Sequence, residues 1–204
     1  MNLLEYVQLG LKHRVDPFYS KYLAGRRVLD IGAGKGDFVA RDPARFVGID
    51  VDPGLVERCR KRGLDVRLMN ALQLEFPDNM FEAVHAAQVI EHFDASDAAT
   101  LLREAGRVLV PGGVMVLSTP GVRNVWATFS HVRPYPPMAF RKLLSSDTEG
   151  YVRDGRIDLA FEGAWGTRWY VRNRHLSFLL SALDVMLKPH DPTGWTIVLR
   201  KKSP

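Results

Sequence analysis

The stretch "VLDIGAGKGDF", Val28 to Phe38, decides how the chain is read. An apolar run ends in Asp30, and Gly32, Gly34 and Gly36 follow at every second position. A strand that feeds straight into a glycine turn lets the backbone approach a ligand closely, because glycine carries no side chain to hold it away. Outward from this run, short apolar segments recur at Arg27 to Ile31, Phe46 to Asp50, Asp65 to Met69, Phe81 to Ala87 and Gly113 to Ser118, and each reads as a strand buried on both faces.

The segments between them read as helices. Leu55 to Arg62 has helical spacing and stops at Gly63, while Ala95 to Leu109 sets Leu101, Leu102, Ala105 and Leu109 on one face and ends before "PGG". Strands alternating with helices predict an α/β fold with a doubly wound, mostly parallel sheet. "GWTIVLRKK", Gly194 to Lys202, and a weaker candidate, Arg156 to Glu162, bring the expectation to a seven-stranded sheet. An amphipathic helix near Asn2 to Lys12 and a short one after Pro17 read as an N-terminal lid or brace.

The expected organisation is one domain over 1–204. It comprises a helical lid over about 1–24, a cofactor-binding half over 25–120 and a substrate-side half over 121–204. Within the last part, 120–190 is dense in Arg, Trp, Tyr and Pro and is expected to cap the carboxyl ends of the strands, where open α/β sheets bind ligands.

With 204 residues, 46% of them hydrophobic, the chain can bury one sizeable core. Its longest uncharged apolar stretches, such as Leu176 to Leu183, are too short to span a bilayer, and Glu5 interrupts the apolar start, so a soluble, cytoplasmic protein is expected. The lone Cys59 excludes an internal disulfide and a cysteine-based zinc site, and "ERCRKR" reads as the solvated face of a helix. A net charge of +5 permits an anionic partner without requiring one.

Three ligands compete for the glycine turn. A dinucleotide fingerprint needs glycine at the sixth position from Gly32, which is Asp37 here, and no G-K-[ST] follows for a P-loop. Asp30 and Asp37 would also repel a pyrophosphate, by about 1 kcal/mol or more per close pair. A cationic cofactor fits instead: S-adenosylmethionine carries a sulfonium and an α-ammonium. Asp50, ending the second strand in "FVGIDVDP", sits where a carboxylate accepts hydrogen bonds from ribose hydroxyls, and Val51 can pack on the adenine; Asp52 before Pro53 is the better helix cap.

On these residues the chain resembles the class I S-adenosylmethionine-dependent methyltransferases, of the small-molecule group with D-x-G-x-G-x-G. "VLDIGAGKGDF", "VGIDVDP", "NALQLEFPDNMFEAVHAAQVIEHF" and "EAGRVLVPGGVMVLSTPG" stand in family order from about Val28 to Pro120, with looser similarity to Lys201. The resemblance implies that Asp30, Gly32, Ala33, Gly34 and Gly36 line the methionine end, and Asp50 and Val51 the ribose and adenine. It also implies that Asn70, in place of the family's aspartate, accepts from the adenine amino group, that Ala71 and Leu72 offer N–H groups to the ring, and that Ala87 and Gln88 meet the ammonium. Glu82 and Gly121 depart from the commoner aspartate and asparagine.

The resemblance extends less far into the chemistry. Glu91 and His92 after the fourth strand, with His131 and Tyr135 in "SHVRPYPP", are the candidates for taking a proton from the acceptor. "QVIEHF" is similar to an E-x-x-E-H motif that binds a divalent metal, often with a further histidine downstream, in quinone-pathway O-methyltransferases and small-RNA 2′-O-methyltransferases; Glu91 and His92 match it, and His131 lies where the later histidine would. Gln88 replaces its first carboxylate, so no metal is expected. "EGAWGTRWYVRNRH" interleaves Trp165, Trp169 and Tyr170 with Arg168, Arg172 and Arg174, either as a stacking platform or as packing, and Leu176 to Leu187 reads as a core-packed helix. The expected function is methyl transfer from S-adenosylmethionine to a small-molecule acceptor, most readily a hydroxyl oxygen. RNA methylation and a non-catalytic scaffold are the alternatives.

Overall fold

The computed structural model describes residue 4 and residues 17–145, 157–167 and 192–203. The strands are β1 (Val28–Ile31), β2 (Phe46–Asp50), β3 (Val66–Leu68), β4 (Phe81–Ala87), β5 (Leu109–Pro120), β6 (Leu159–Thr167) and β7 (Gly194–Lys201). They form one seven-stranded sheet in the order β3-β2-β1-β4-β5-β7-β6. The pairings of β1 with β2 and β4, of β2 with β3 and of β4 with β5 are parallel, whereas β7 runs antiparallel to both β5 and β6. From β1 the chain winds outward to β3 and then returns to β4 on the other side of β1. That reversal opens a crevice at the carboxyl ends of β1 and β4, the usual ligand position in such sheets.

Alternation along each strand separates two cores. Leu29, Ile31, Ile49, Val84, Ala86, Met115, Leu117, Ile197 and Leu199 belong to one core, with Leu101, Leu102 and Ala105 of helix α2 (Ala95–Val108). Val28, Phe46, Val66, Ala83, Val114, Val116 and Val198 belong to the other, with Phe18, Tyr22 and Leu23 and with Val56 and Cys59 of α1 (Pro53–Lys61). Each fully buried leucine or phenylalanine contributes about 1.5–3 kcal/mol, so each face is anchored many times over.

Local chemistry fixes the helix starts. Asp52 Oδ1 accepts from Gly54 N–H at 2.7 Å and Leu55 N–H at 3.1 Å, and Pro53 occupies the first turn, where no N–H is needed. Asp94 Oδ1 likewise accepts from Asp97 N–H at 2.9 Å ahead of α2. After β5 come α3 (Val122–Val125) and α4 (Pro137–Leu144), which lie within the region expected to cap the strands.

Three expectations need correction. Cys59 is buried rather than solvated: Val56 and Cys59, three residues apart, face the sheet, and the surrounding charges occupy the rest of the α1 surface. The weak strand candidate is displaced: β6 runs to Thr167, so Trp165 is a strand residue packed on Phe18, with ring centroids 5.2 Å apart. Strand β5 begins at Leu109, four residues before Gly113, because Leu109 already pairs with Phe81. Residues 2–12 apart from Leu4, and Arg168, Trp169, Tyr170, Arg172, Arg174 and 176–187, lie outside the described residues. No helix among the described residues is long and apolar enough to cross a membrane.

Candidate functional site

The glycine turn leaves β1 at the crevice, and its N–H groups are directed inward. Gly32 and Ala33 donate to Ile49 O at 3.0 and 2.9 Å, Gly34 donates to Asp50 Oδ2 at 2.8 Å, and Gly36 donates to Ala33 O at 2.8 Å. A phosphate cradle needs such groups free to point at the ligand, and these four are taken by protein oxygens. Gly34 has φ +54°, and a Cβ built on it would meet nothing within 4 Å, so its missing side chain leaves open space. Gly36, at φ +76°, is required for another reason, since a Cβ there would lie 2.8 Å from Leu64 Cδ1 and 2.9 Å from Cys59 Sγ.

Asp50 links the turn to β2. Its Oδ2 accepts from Gly34 N–H and its Oδ1 from Asp52 N–H at 2.9 Å, which orients both oxygens while leaving each a further lone pair. Val51, next along, is 68% exposed and offers a bare apolar surface at the crevice edge. Asp30 is 3% exposed and lies 2.7 Å from His85 Nδ1. His85 stacks on Phe38 at 3.8 Å, and Phe38 stacks on Phe46. The sequence reading missed His85 and Phe38; the signal was the parallel register of Asp30 with His85, which sets both side chains on one face.

The loop between β3 and β4 forms the next edge. Asn70 Oδ1 accepts from Leu72 N–H at 2.9 Å, so that N–H is taken within the loop and is not free for a ring. The loop is tied to α2 by two residues that the sequence did not single out. Glu104 Oε2 accepts from Leu74 N–H, and Arg107 donates to Leu74 O, Phe76 O and Asp78, each at 2.8 Å. Arg107 also bonds Glu104, and that hydrogen bond holds the Glu104 carboxyl below its ordinary range.

On the opposite edge, β4 ends at Ala87, and Gln88 adopts φ +58°. Gln88 N–H donates to Ser118 O at 2.9 Å and its side-chain amide to Ser118 Oγ at 3.3 Å. A single turn, Ile90–His92, then carries Glu91, which is 0% exposed with neither carboxylate oxygen hydrogen-bonded. Burial pushes its carboxyl up to about 7, and the nearby Thr119 hydroxyl offsets only part of that.

The segment after α3 folds back onto this turn: Val132 N–H donates to Glu91 O at 2.8 Å, and the His92 and His131 rings meet edge to face at 4.9 Å. Glu91, His92 and His131 therefore converge although 39 positions separate the last two in the chain. Tyr135 stands apart. Its hydroxyl lies 2.7 Å from Asp94 O and 3.0 Å from Phe93 O, and burial pushes it up to about 12, so it serves as a hydrogen-bond donor.

A switch-point crevice whose glycine turn has the N–H groups of Gly32, Ala33, Gly34 and Gly36 bonded to protein oxygens suits a nucleoside better than a phosphate. Residues 29–117 match the methyltransferase domain family. A probable S-adenosylmethionine-dependent methyltransferase of Mycolicibacterium smegmatis is 38% identical over 131 residues, 61% of this chain and 49% of that protein. The demethylmenaquinone methyltransferase of Corynebacterium kroppenstedtii is 33% identical over 149 residues, 69% of this chain and 61% of that protein. The aligned stretches thus span about half to three-fifths of these relatives. A solved S-adenosylmethionine-dependent methyltransferase from Methanosarcina mazei shares the fold at TM-score 0.67 and 15% identity, covering 93% of this chain and 99% of its own. Over residues 29–117 in sequence, and in fold, the chain is similar to the class I S-adenosylmethionine-dependent methyltransferases.

Proposed function

We propose that the chain transfers a methyl group from S-adenosylmethionine to a hydroxyl oxygen of a small-molecule acceptor. The observation that carries this reading is the glycine turn: the N–H groups of Gly32, Ala33, Gly34 and Gly36 bond protein oxygens, Gly34 leaves open space, and the carboxylates of Asp50 and of Asp30, the latter buried against His85, stand beside it. That combination suits a cationic nucleoside and opposes a pyrophosphate.

On this reading Asp30, Gly32, Ala33, Gly34 and Gly36 border the methionine end, and the oriented oxygens of Asp50 accept from the ribose. Val51 covers one face of the adenine, with Asn70, Ala71 and Leu72 at its edge. Since Leu72 N–H bonds Asn70, the ring's N–H donor is Ala71. The carbonyls of Ala87 and Gln88 face the ammonium.

When bound, S-adenosylmethionine supplies an electrophilic methyl on a positively charged sulfur. What remains for the protein is to position the acceptor and take up its proton. Glu91, His92 and His131 form the proton-accepting cluster, and Tyr135 holds the segment 131–135 against Phe93 and Asp94. A small-molecule acceptor agrees with the name of the demethylmenaquinone methyltransferase relative.

The test is incubation of the protein and methyl-labelled S-adenosylmethionine with fractionated cell extract. The expected result is label in a low-mass product as an O-methyl group, in step with S-adenosylhomocysteine. Label recovered only in nuclease-sensitive material, or no S-adenosylhomocysteine at all, overturns the reading.

A further inference from the structure

We propose that His85 is a positioning residue for the cofactor: it holds Asp30 in the orientation that presents negative charge to the methionine end of S-adenosylmethionine, without cancelling that charge. This role rests on the proposed placement of Asp30 at that end. A carboxylate only accepts hydrogen bonds, so across the 2.7 Å separation His85 Nδ1 is the donor and Asp30 Oδ1 the acceptor. Asp30 is 3% exposed, one residue before β1 ends at the crevice. Among the described residues its Oδ2 has no hydrogen-bond partner, and no lysine or arginine pairs with the carboxylate. One oxygen is held by the protein and the other is left to a ligand; a nearly buried carboxylate in that state is unfavourable until a donor or cation reaches it.

The histidine is built in for this contact. In β4 the neighbouring Phe81, Ala83, Val84 and Ala86 are apolar and buried, and His85 breaks that run at the position whose register partner on β1 is Asp30. Its ring is fixed by stacking on Phe38 at 3.8 Å and 13°, and Phe38 stacks in turn on Phe46 at 5.0 Å and 6°. The Tyr19 ring meets Phe38 and Phe46 edge-on at 6.0 and 6.2 Å. Phe38 follows Gly36 by two positions, so the column ties the end of the glycine turn to β2 and β4, and turning the imidazole away from Asp30 would break it.

An imidazole donates from Nδ1 while uncharged, whereas a lysine or arginine in its place would bring a positive charge and oppose a cationic cofactor. The guanidinium of Arg41 is held over the rings of Tyr19 and Phe38, at 5.0 and 5.4 Å, instead of at the carboxylate. A purely structural pair predicts another outcome on substitution: lost stability with unchanged cofactor affinity.

The experiment is calorimetric titration of wild type, His85→Leu and His85→Asn with S-adenosylhomocysteine, which shares the cofactor's ammonium, with circular dichroism on every sample. Leucine keeps apolar bulk against Phe38 and removes the donor; asparagine keeps a neutral donor. The expected result is affinity weakened at least about tenfold in His85→Leu and restored to within about threefold of wild type in His85→Asn. Binding by wild type that is unchanged in His85→Leu, or weakened equally in both variants, overturns the role of His85 and leaves the cofactor reading standing. A folded wild-type chain that does not bind overturns the cofactor reading and this role with it. Should His85→Leu fail to fold, nitrogen-15 spectra of histidine-labelled wild type decide, with the His85 signals identified by their loss in His85→Asn. An Nδ1–H tautomer whose nitrogens shift on saturation with S-adenosylhomocysteine supports the proposal; an Nε2–H tautomer, or nitrogens unmoved by the ligand, contradicts it.

Discussion

Around β1, β2 and β3, the polar groups of the crevice already have protein partners: Gly34 and Asp52 hold Asp50, Asn70 holds Leu72, and Arg107 with Glu104 holds the loop at Leu74 to Asp78. Across the crevice, after β4 and β5, Glu91 lies buried with both oxygens unpartnered, and Trp126, Phe129, Val132 and Met138 present apolar surface to solvent. The first rim is preorganised by backbone geometry, so it can recognise one invariant ligand at little entropic cost. The second keeps a buried carboxylate without hydrogen-bond partners on a single turn, beneath a segment that folds back over it.

The contrast breaks most sharply at Gly36. Gly36→Ala places a Cβ against Cys59 and Leu64 at φ +76° and is expected to destabilise the fold by about 3 kcal/mol, read by denaturant titration. Arg107→Ala should cost about 2 kcal/mol and raise hydrogen exchange at Leu74 to Asp78, because two loop carbonyls lose their donor. Unaltered exchange there would remove Arg107 from the account of that edge.

Gly34→Ala sharpens the comparison within the same turn. Its Cβ has room, so the expected stability loss is only about 1 kcal/mol from the positive φ, yet the methyl fills ligand space and should weaken S-adenosylhomocysteine at least about tenfold.

Tyr135→Phe, on the second rim, should cost about 1 kcal/mol and leave S-adenosylhomocysteine affinity unchanged. The folded Tyr135 holds its proton to about 12, against an ordinary value of 10. Its contribution is therefore fully present below pH 10 and is lost as pH rises towards 12, so the gap between wild type and variant should close over that window.

The first rim was legible because a local pattern encodes it. Asp30, the glycines and Asp50 sit at strand ends that periodicity locates, and Asp52 before Pro53 is a capping signal readable on its own. The same reading misplaced Cys59, since a run of charges hides the two inward positions of α1. It also ended β6 early, because "GAWGT" resembles a loop until its pairing with β7 is known. Glu91, His92 and His131 were grouped through the resemblance rather than through spacing, because their contact depends on Val132 N–H docking on Glu91 O, a tertiary contact without a sequence signature. The Arg107 clamp was hidden in the same way, behind an ordinary basic residue in the last turn of α2.

The central claim is that the glycine turn and Asp50 together bind a cationic nucleoside cofactor. Calorimetric titration of wild type and Asp50→Ala with S-adenosylhomocysteine, with circular dichroism confirming the fold of both, tests it most directly. The expected result is one site with Kd on the order of micromolar for the wild-type chain, weakened at least about thirtyfold in the variant by loss of two charge-assisted hydrogen bonds. A folded wild-type chain that does not bind, or an Asp50→Ala variant of unchanged affinity, would contradict it.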